Sequence, residues 1–328
     1  MQQRLDSLVA DSRGLICAFG LAPLARLERD ALDSLDPERP LWLHFNLADG
    51  RARDWLREDA HLPVAAREAL LEDDAHVHVQ IVEQGFVAVL RDLVREGHGG
   101  EARYASFAVY MDARRLISVR RNPLETFDRL RHELGKGLDL PSPVALFEHL
   151  VECLADTFEG VVERLASVVE EAEDAILAGH SEDRGTELRR VRWLLARLRR
   201  EARANRSALS RLPSHLPAGG GPERQQSLGA AIDRFAGVAR DLELVEDRAR
   251  LMQEEIAGRL GESTNRNLYL LSVVTTAMLP VTLVTGVFGM NVGGMPWTQD
   301  PHGFSHMLFM MALVLAVTLA LIGRARMR

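Results

Sequence analysis

The sequence predicts an α+β membrane protein. An N-terminal α/β domain is followed by a helical hairpin and by one very long helix that continues into the first of two C-terminal transmembrane helices. Three observations carry this reading. Short β-rich runs separated by Asp, Gly and Pro clusters fill residues 1–142. From Pro143 onward apolar side chains recur at three- and four-residue steps. Near the C-terminus, residues 268–288 and 304–322 contain no Asp, Glu, Lys or Arg, and roughly 20 such residues suffice to span a bilayer as a helix. The overall composition, 47% hydrophobic and 27% charged, resembles an average soluble chain only because these regions are averaged together.

In chain order, strands are expected at Gly14–Phe19, Leu41–Leu47, His76–Val82, Phe86–Leu90, Ala105–Met111 and Leu116–Val119. Helical spacing over Arg51–Leu71 is interrupted at Pro63. A mixed sheet with helices on its faces follows. Within residues 143–221 two charged helices form a hairpin around a turn at Gly179–Gly185. The first has an apolar face (Leu150, Leu154, Val161, Leu165, Val168, Ala172, Ile176) and a separate line of carboxylates: Glu148, Glu152, Asp156, Glu159 and Glu163. The second, from Arg189 to Arg211, is rich in arginine. The two charge sets can pair across the hairpin, or part of the acidic line, Glu148, Glu152 and Asp156 foremost, can concentrate divalent cations.

After the Gly/Pro linker at Leu216–Gln225, Pro222 sits where a helix can begin. A seven-residue series (Leu228, Phe235, Leu242, Ala249, Ile256) runs with a second one (Val238, Val245, Met252), the signature of a helix packed on helices of the same or another copy of the chain. Nothing breaks this helix before the membrane. Residues 223–288 would extend ~100 Å, too long for one small domain to cover, so an oligomer in which such helices bundle is expected. The expected organisation is therefore 1–142, cytoplasmic α/β domain; 143–221, helical hairpin and linker; 222–267, stalk helix; 268–288, first transmembrane helix; 289–303, outer loop; 304–323, second transmembrane helix; 324–328, basic tail.

Arg259 and Arg266 precede the first span and Arg324, Arg326 and Arg328 follow the second, whereas the connecting loop has no Lys or Arg. Positive charge stays inside, which places both termini in the cytoplasm. The opening segment lacks the pattern of a secretory signal. Cys17 and Cys153 form no CxxC and are expected to be reduced packing residues. The chain shows no P-loop, nucleophile elbow or HExxH, so neither an enzyme nor a bound cofactor is expected, and no nucleic-acid partner is either.

The first span carries a stripe of small or hydroxyl-bearing residues, Ser272, Thr275, Thr276, Leu279, Thr282 and Gly286. Such a stripe suits a pore lining and suits close helix packing equally. His302 and His306, four residues apart, and His76 and His78, alternating on a strand, are candidate ligands or ordinary surface histidines. A membrane-anchored sensor or scaffold remains a different class of reading, although plain anchors need only apolar surface.

Gly289-Met290-Asn291, at the outer end of the first of two C-terminal spans and fed by a long helix, resembles the signature of the CorA family of divalent-cation transporters. The resemblance covers the whole chain. It implies a funnel-shaped homopentamer in an inner (cytoplasmic) membrane, with the long helices continuing into the pore. Asn291 would form an amide ring at the outer mouth. Thr282 would form a hydroxyl ring, Leu279 and Leu271 apolar constrictions, and Asn265 a second amide ring at the cytoplasmic entrance. Phe288 before the signature and VGGMPW after it, without Glu, resemble the zinc-transporting ZntB branch. That branch implies Zn2+ as the transported ion, coupled to protons; Mg2+, Co2+, Ni2+ and Cd2+ are the alternatives. Residues 267–299 contain no His, Cys, Asp or Glu, so a bare zinc ion has no tight site there. A proton relay would have to use water, Asp300, His302 or His306.

Overall fold

The computed structural model describes residues 14–22, 24–27, 39–58, 62–73, 76–95, 103–179, 184–217, 221–290, 296–297 and 300–326. Two units are resolved, residues 1–253 and 254–328.

In the first unit a seven-stranded sheet among the described residues has the order β2-β1-β3-β7-β6-β5-β4. The strands are β1 (Leu15–Leu21), β2 (Leu24–Arg26), β3 (Leu41–Asn46), β4 (His78–Val82), β5 (Gly85–Leu93), β6 (Tyr104–Asp112) and β7 (Arg115–Arg120). Only the β3–β7 pairing is parallel, so the sheet is mixed. Residues 51–71 form two helices, α1 (Gly50–Glu58) and α2 (Val64–Leu71), on either side of Pro63, whose missing N–H and fixed φ favour a restart there. Between β4 and β5 glycine is required: a Cβ on Gly85 would lie 1.8 Å from the Met111 carbonyl oxygen. β2 is too short to show a period in the sequence.

The β3–β7 pair buries polar groups that satisfy one another. Trp42 Nε1–H donates to Ser118 Oγ at 2.8 Å, His44 Nδ1 meets the same oxygen at 2.8 Å, and Arg120 Nε–H donates to His44 Nε2 at 3.1 Å. Burial first, and then the Arg120 charge, hold the His44 pKa well below its ordinary value, so His44 serves here as a neutral acceptor.

Helix α3 (Glu125–Gly135), absent from the elements expected above, follows β7 and buries Phe127, Leu130 and Leu134 at three- and four-residue steps. Its N-cap position, Leu124, has no capping side chain. The carboxylate of Asp92 on β5 supplies one from a distance, accepting the Thr126 N–H at 3.2 Å and the Leu93 N–H at 2.7 Å. A carboxylate at a helix N-terminus is favoured by the dipole, but this one is fully buried.

Helix α4 (Pro143–Leu177) opens with Ser142 Oγ accepting the Ala145 N–H at 3.2 Å and Pro143 in the first turn. It is followed by α5 (Arg184–Leu209) and by α6, which runs unbroken from Pro222 to Phe288. Leu228, Phe235, Val238, Leu242 and Ala249 are all buried, and Phe235 meets Phe158 of α4 edge-on at 5.7 Å. These five seam positions are therefore covered within the chain, whereas Val245, Met252 and Ile256 are only half-buried. In the second unit α6 is followed by α7 (Gly303–Arg326). Both α6 and α7 contain a window long and apolar enough to cross a membrane.

Burial pushes the Asp92 pKa up from 3.8 to about 7. Between those values the folded chain keeps a proton that the unfolded chain has released, so this group makes stability fall as pH rises through the window. Asp92→Asn removes that titration. The stability difference between variant and parent, measured by thermal unfolding of the solubilised protein, should shift in the variant's favour from pH 4 to pH 7 by at most about 4 kcal/mol. A difference that stays constant would mean that Asp92 is ionised in the fold.

Candidate functional site

At 100° per residue, Leu271, Thr275, Leu279, Thr282 and Gly286 fall on one face of α6, with Asn265 at its edge, an arc of about 120°. All six are exposed, Leu271 at 63% and Leu279 at 66%. The covered side of the same segment is the opposite one: Ala277 is buried, and Val273, Pro280, Val281, Val284 and Phe288 are half-buried. The half-buried residues of α7, Met307, Met310, Met311, Val314, Leu315 and Thr318, also share one face. The two apolar helices thus each turn one face inward, and the hydroxyl-bearing stripe is left on the outside of the pair.

Within the stripe the hydroxyl protons are already committed. Thr275 Oγ1–H donates to the Leu271 carbonyl at 2.8 Å and Thr282 Oγ1–H to the Met278 carbonyl at 2.9 Å. What each oxygen offers outward is acceptor capacity alone. Gly289 and Met290 continue the helix end, with the Gly289 N–H on the Thr285 carbonyl at 2.8 Å; Asn291 lies outside the described residues.

Beyond it, residues 296–297 and 300–303 are described. Trp297 has a left-handed φ of 64°, rare for a bulky residue. Its ring stacks on Phe288 at 6.3 Å and contacts His306 at 5.7 Å. A Cβ on Gly303 would lie 2.3 Å from the Trp297 carbonyl oxygen, so glycine is needed where α7 begins. Asp300 accepts the His302 N–H at 2.8 Å, and His306 Nδ1 lies 3.8 Å from Asp300. His302 and His306 are thus held by a turn and a ring stack. His78 Nδ1 bonds the His76 carbonyl at 2.7 Å.

The acidic line on α4 has partners other than those expected. Glu148 pairs with Arg224 at 2.9 Å, and Arg234 pairs with both Asp156 and Glu159 at 2.5 Å. Asp156 also meets Arg129 of α3 at 2.8 Å. These are arginines of α6 and α3, not of the hairpin's second arm. The α5 arginines turn to α6 instead, with Arg199 on Glu246 at 3.0 Å.

A further group was not foreseen. Glu133 Oε2, His149 Nε2 and Cys153 Sγ converge where α3 meets α4: 2.6 Å from Glu to His, and 3.6 Å from the sulfur to each of the others. His149 Nδ1 lies 3.0 Å from Glu152. Burial, and after it the Glu133 carboxylate, raise the Cys153 pKa far above its ordinary value. Burial works against ionised Glu133, but hydrogen bonds with His149 and Arg129 prevail and hold its pKa below the usual range. Cys153 is buried, as a packing residue would be, yet its sulfur faces two polar side chains. The four-residue step from His149 to Cys153 was the available signal.

A family model described as CorA-like Mg2+ transporter protein matches residues 37–324. The chain belongs to the CorA family. The divalent cation transporter CmaX of Pseudomonas aeruginosa is 32% identical over 304 residues, 90% of this chain and 91% of its own. The zinc transport protein ZntB of Cronobacter sakazakii is 28% identical over 291 residues, 89% of this chain and 88% of that protein. The solved structure of full-length CmaX matches with a TM-score of 0.82 at 29% identity, covering 97% of this chain and 99% of that one. The chain is thus a divalent-cation transporter of the CorA family, not an enzyme.

In this CorA-family chain the ion pairs of the acidic line are structural contacts. Glu148→Gln should leave Arg224 facing a nearly buried partner without its charge, at a cost of ~1–3 kcal/mol. Thermal unfolding of the solubilised protein should register this as a drop of several degrees, and an unchanged Tm would remove the pair from the account of stability.

Proposed function

We propose that the chain passes divalent cations, Zn2+ foremost, through a homopentameric pore lined by Asn265, Leu271, Thr275, Leu279, Thr282 and Gly286 and closed outside by a ring of Gly289, Met290 and Asn291. The observation that carries this reading is the outward position of the stripe: the second apolar helix takes the opposite face, so only other copies of the chain or lipid remain to meet it. Lipid is a poor match for Asn265 and the threonines, whereas a wet axis shared by several copies suits them. The membrane is an inner (cytoplasmic) one with both termini inside, in keeping with the arginines that flank the spans.

A neutral pathway suits a divalent ion. Carboxylate rings hold such ions tightly and release them slowly, whereas amide and hydroxyl oxygens accept hydrogen bonds from the ion's hydration shell and let it go. The hydroxyl protons of Thr275 and Thr282 are spent on their own helix, so these side chains present lone pairs to that shell. Leu279 and Leu271, above and below Thr275, narrow the path without binding anything. Zn2+ is favoured over Mg2+ by the similarity to zinc transport proteins over most of the chain, by Phe288 before the signature and by the absence of Glu in the outer loop. Coupling to protons would run through water and the Asp300–His306 pair at the turn. Mg2+ is the second reading, which the family's description favours.

Liposomes holding the purified protein, given Zn2+ or Mg2+ outside and with or without a pH gradient, separate these readings: faster Zn2+ entry, accelerated by the gradient, is expected. Asn291→Ala should reduce uptake of either ion at least tenfold while the oligomer persists on native gels, and full uptake would exclude Asn291 from the pathway. Leu279→Gly should raise flux several-fold by widening the constriction; unchanged flux would show that this side chain does not limit passage.

A further inference from the structure

We propose that Glu133, His149 and Cys153 form a resident transition-metal site of the zinc class, built on α3 and α4 and using none of the pore residues.

The donor set is one sulfur, one imidazole nitrogen and one carboxylate oxygen, all within 4.8 Å of one another. A tetrahedral zinc ion with a metal–sulfur distance of about 2.3 Å and metal–nitrogen and metal–oxygen distances of about 2.0–2.1 Å sets sulfur ~3.5 Å from the lighter donors. The two sulfur distances here, both 3.6 Å, already match that spacing. Only the 2.6 Å contact between His149 Nε2 and Glu133 Oε2 must widen, to ~3.3 Å, as the ion takes the place of the proton between them.

The surroundings are those a zinc ligand needs. Glu152 accepts from the far ring nitrogen of His149 at 3.0 Å, the carboxylate–histidine arrangement that fixes a metal-bound imidazole. Arg129 Nε–H occupies the other Glu133 oxygen, Oε1, at 3.2 Å, so Oε2 is the one turned toward the histidine and the thiol. Three protein donors leave the fourth to water, and the partly exposed side chains of Glu133 and His149, 27% and 23% accessible, give it a way in. On binding, the Cys153 proton leaves to solvent, as thiolate ligation requires.

The same donors exclude Mg2+ and Ca2+, which take six or more oxygens. Thiolate and imidazole select Zn2+, Co2+ or Cd2+. An ordinary hydrogen-bonded trio would gain little from a buried thiol, a weak donor.

The test is cobalt spectroscopy on the full-length protein in detergent, reduced and freed of metal. Added Co2+ should produce a thiolate-to-cobalt charge-transfer absorption that saturates near one ion per chain and is displaced by Zn2+ but not by excess Mg2+. The pathway proposed above contains no cysteine, and the thioether of Met290 gives no thiolate band, so Co2+ held there is silent in this band. Cys17→Ser should keep the band and Cys153→Ser should lose it. Glu152→Gln, outside the ligand set, should weaken Zn2+ about 10–100-fold in competition with a chromophoric chelator. Unmutated protein that binds no Co2+ through sulfur overturns the proposal, as does a band that survives Cys153→Ser. The first of these needs no variant, so a misfolded mutant cannot decide the outcome.

Discussion

The structure depends on one helix satisfying several environments in succession. In its first half α6 lays an apolar seam (Leu228, Phe235, Val238, Leu242, Ala249) against α4 and α5. Charges flank the seam by sign. Arg234 and Arg248 lie on one side and reach Asp156, Glu159 and Glu173 of α4. Glu243 and Glu246 lie on the other and reach Arg199 of α5. Exposed pairs of this kind contribute ~0–1 kcal/mol each, so burial of the seam supplies most of the adhesion. The charges act on specificity instead, because rotating or sliding α6 by one heptad would set arginine against arginine on α5 and acid against acid on α4.

The sequence made some of this legible and concealed the rest, for identifiable reasons. The six longer strands were visible because β-branched and aromatic residues cluster between turn-forming ones. The uncharged spans were visible because nothing else explains some twenty consecutive residues without charge. The partner of the acidic line was misread because adjacency in sequence suggested that an acidic and a basic helix would neutralise each other. They pack mainly through apolar faces, and each turns its charge to α6, whose mixed sequence of Arg, Asp and Glu hid two separate stripes. Helix α3 has apolar steps at Phe127, Leu130 and Leu134 but no local start signal, because its cap, Asp92, comes from β5, 34 residues away. The Glu133–His149–Cys153 group escaped for a similar reason: two donors share a helix face at four-residue spacing, but the third arrives from α3 through tertiary packing. The stripe proposed as the pore face was legible in the sequence, and the structure adds its direction: the covered side of the same segment is the opposite one.

That direction constrains the chemistry of the stripe. Thr275 and Thr282 spend their protons on carbonyls one turn back, which keeps the helix intact in a setting where an unsatisfied hydroxyl would be costly. It also fixes their polarity outward. A lining of pure acceptors attracts a hydrated cation through the hydrogens of its own water. In the proposed pore Leu271 and Leu279, on either side of Thr275, would contribute no competing site, and an ion would meet shallow minima in succession.

The proposed pore face and the proposed α3–α4 site would be opposite solutions for the same class of ion. A site with a dissociation constant of ~1 nM corresponds to about 12 kcal/mol. Even if ions arrive at about 10⁸ M⁻¹ s⁻¹, such a site empties only about once in ten seconds, which would halt transport if it lay on the path. A conducting face must therefore exclude the donors that make zinc sites tight, and residues 267–299 contain no His, Cys, Asp or Glu. Glu133, His149 and Cys153 combine those very donors, and none of them belongs to the stripe. Passage and residence need different ligands, and on the two proposals above the two sets lie on different helices.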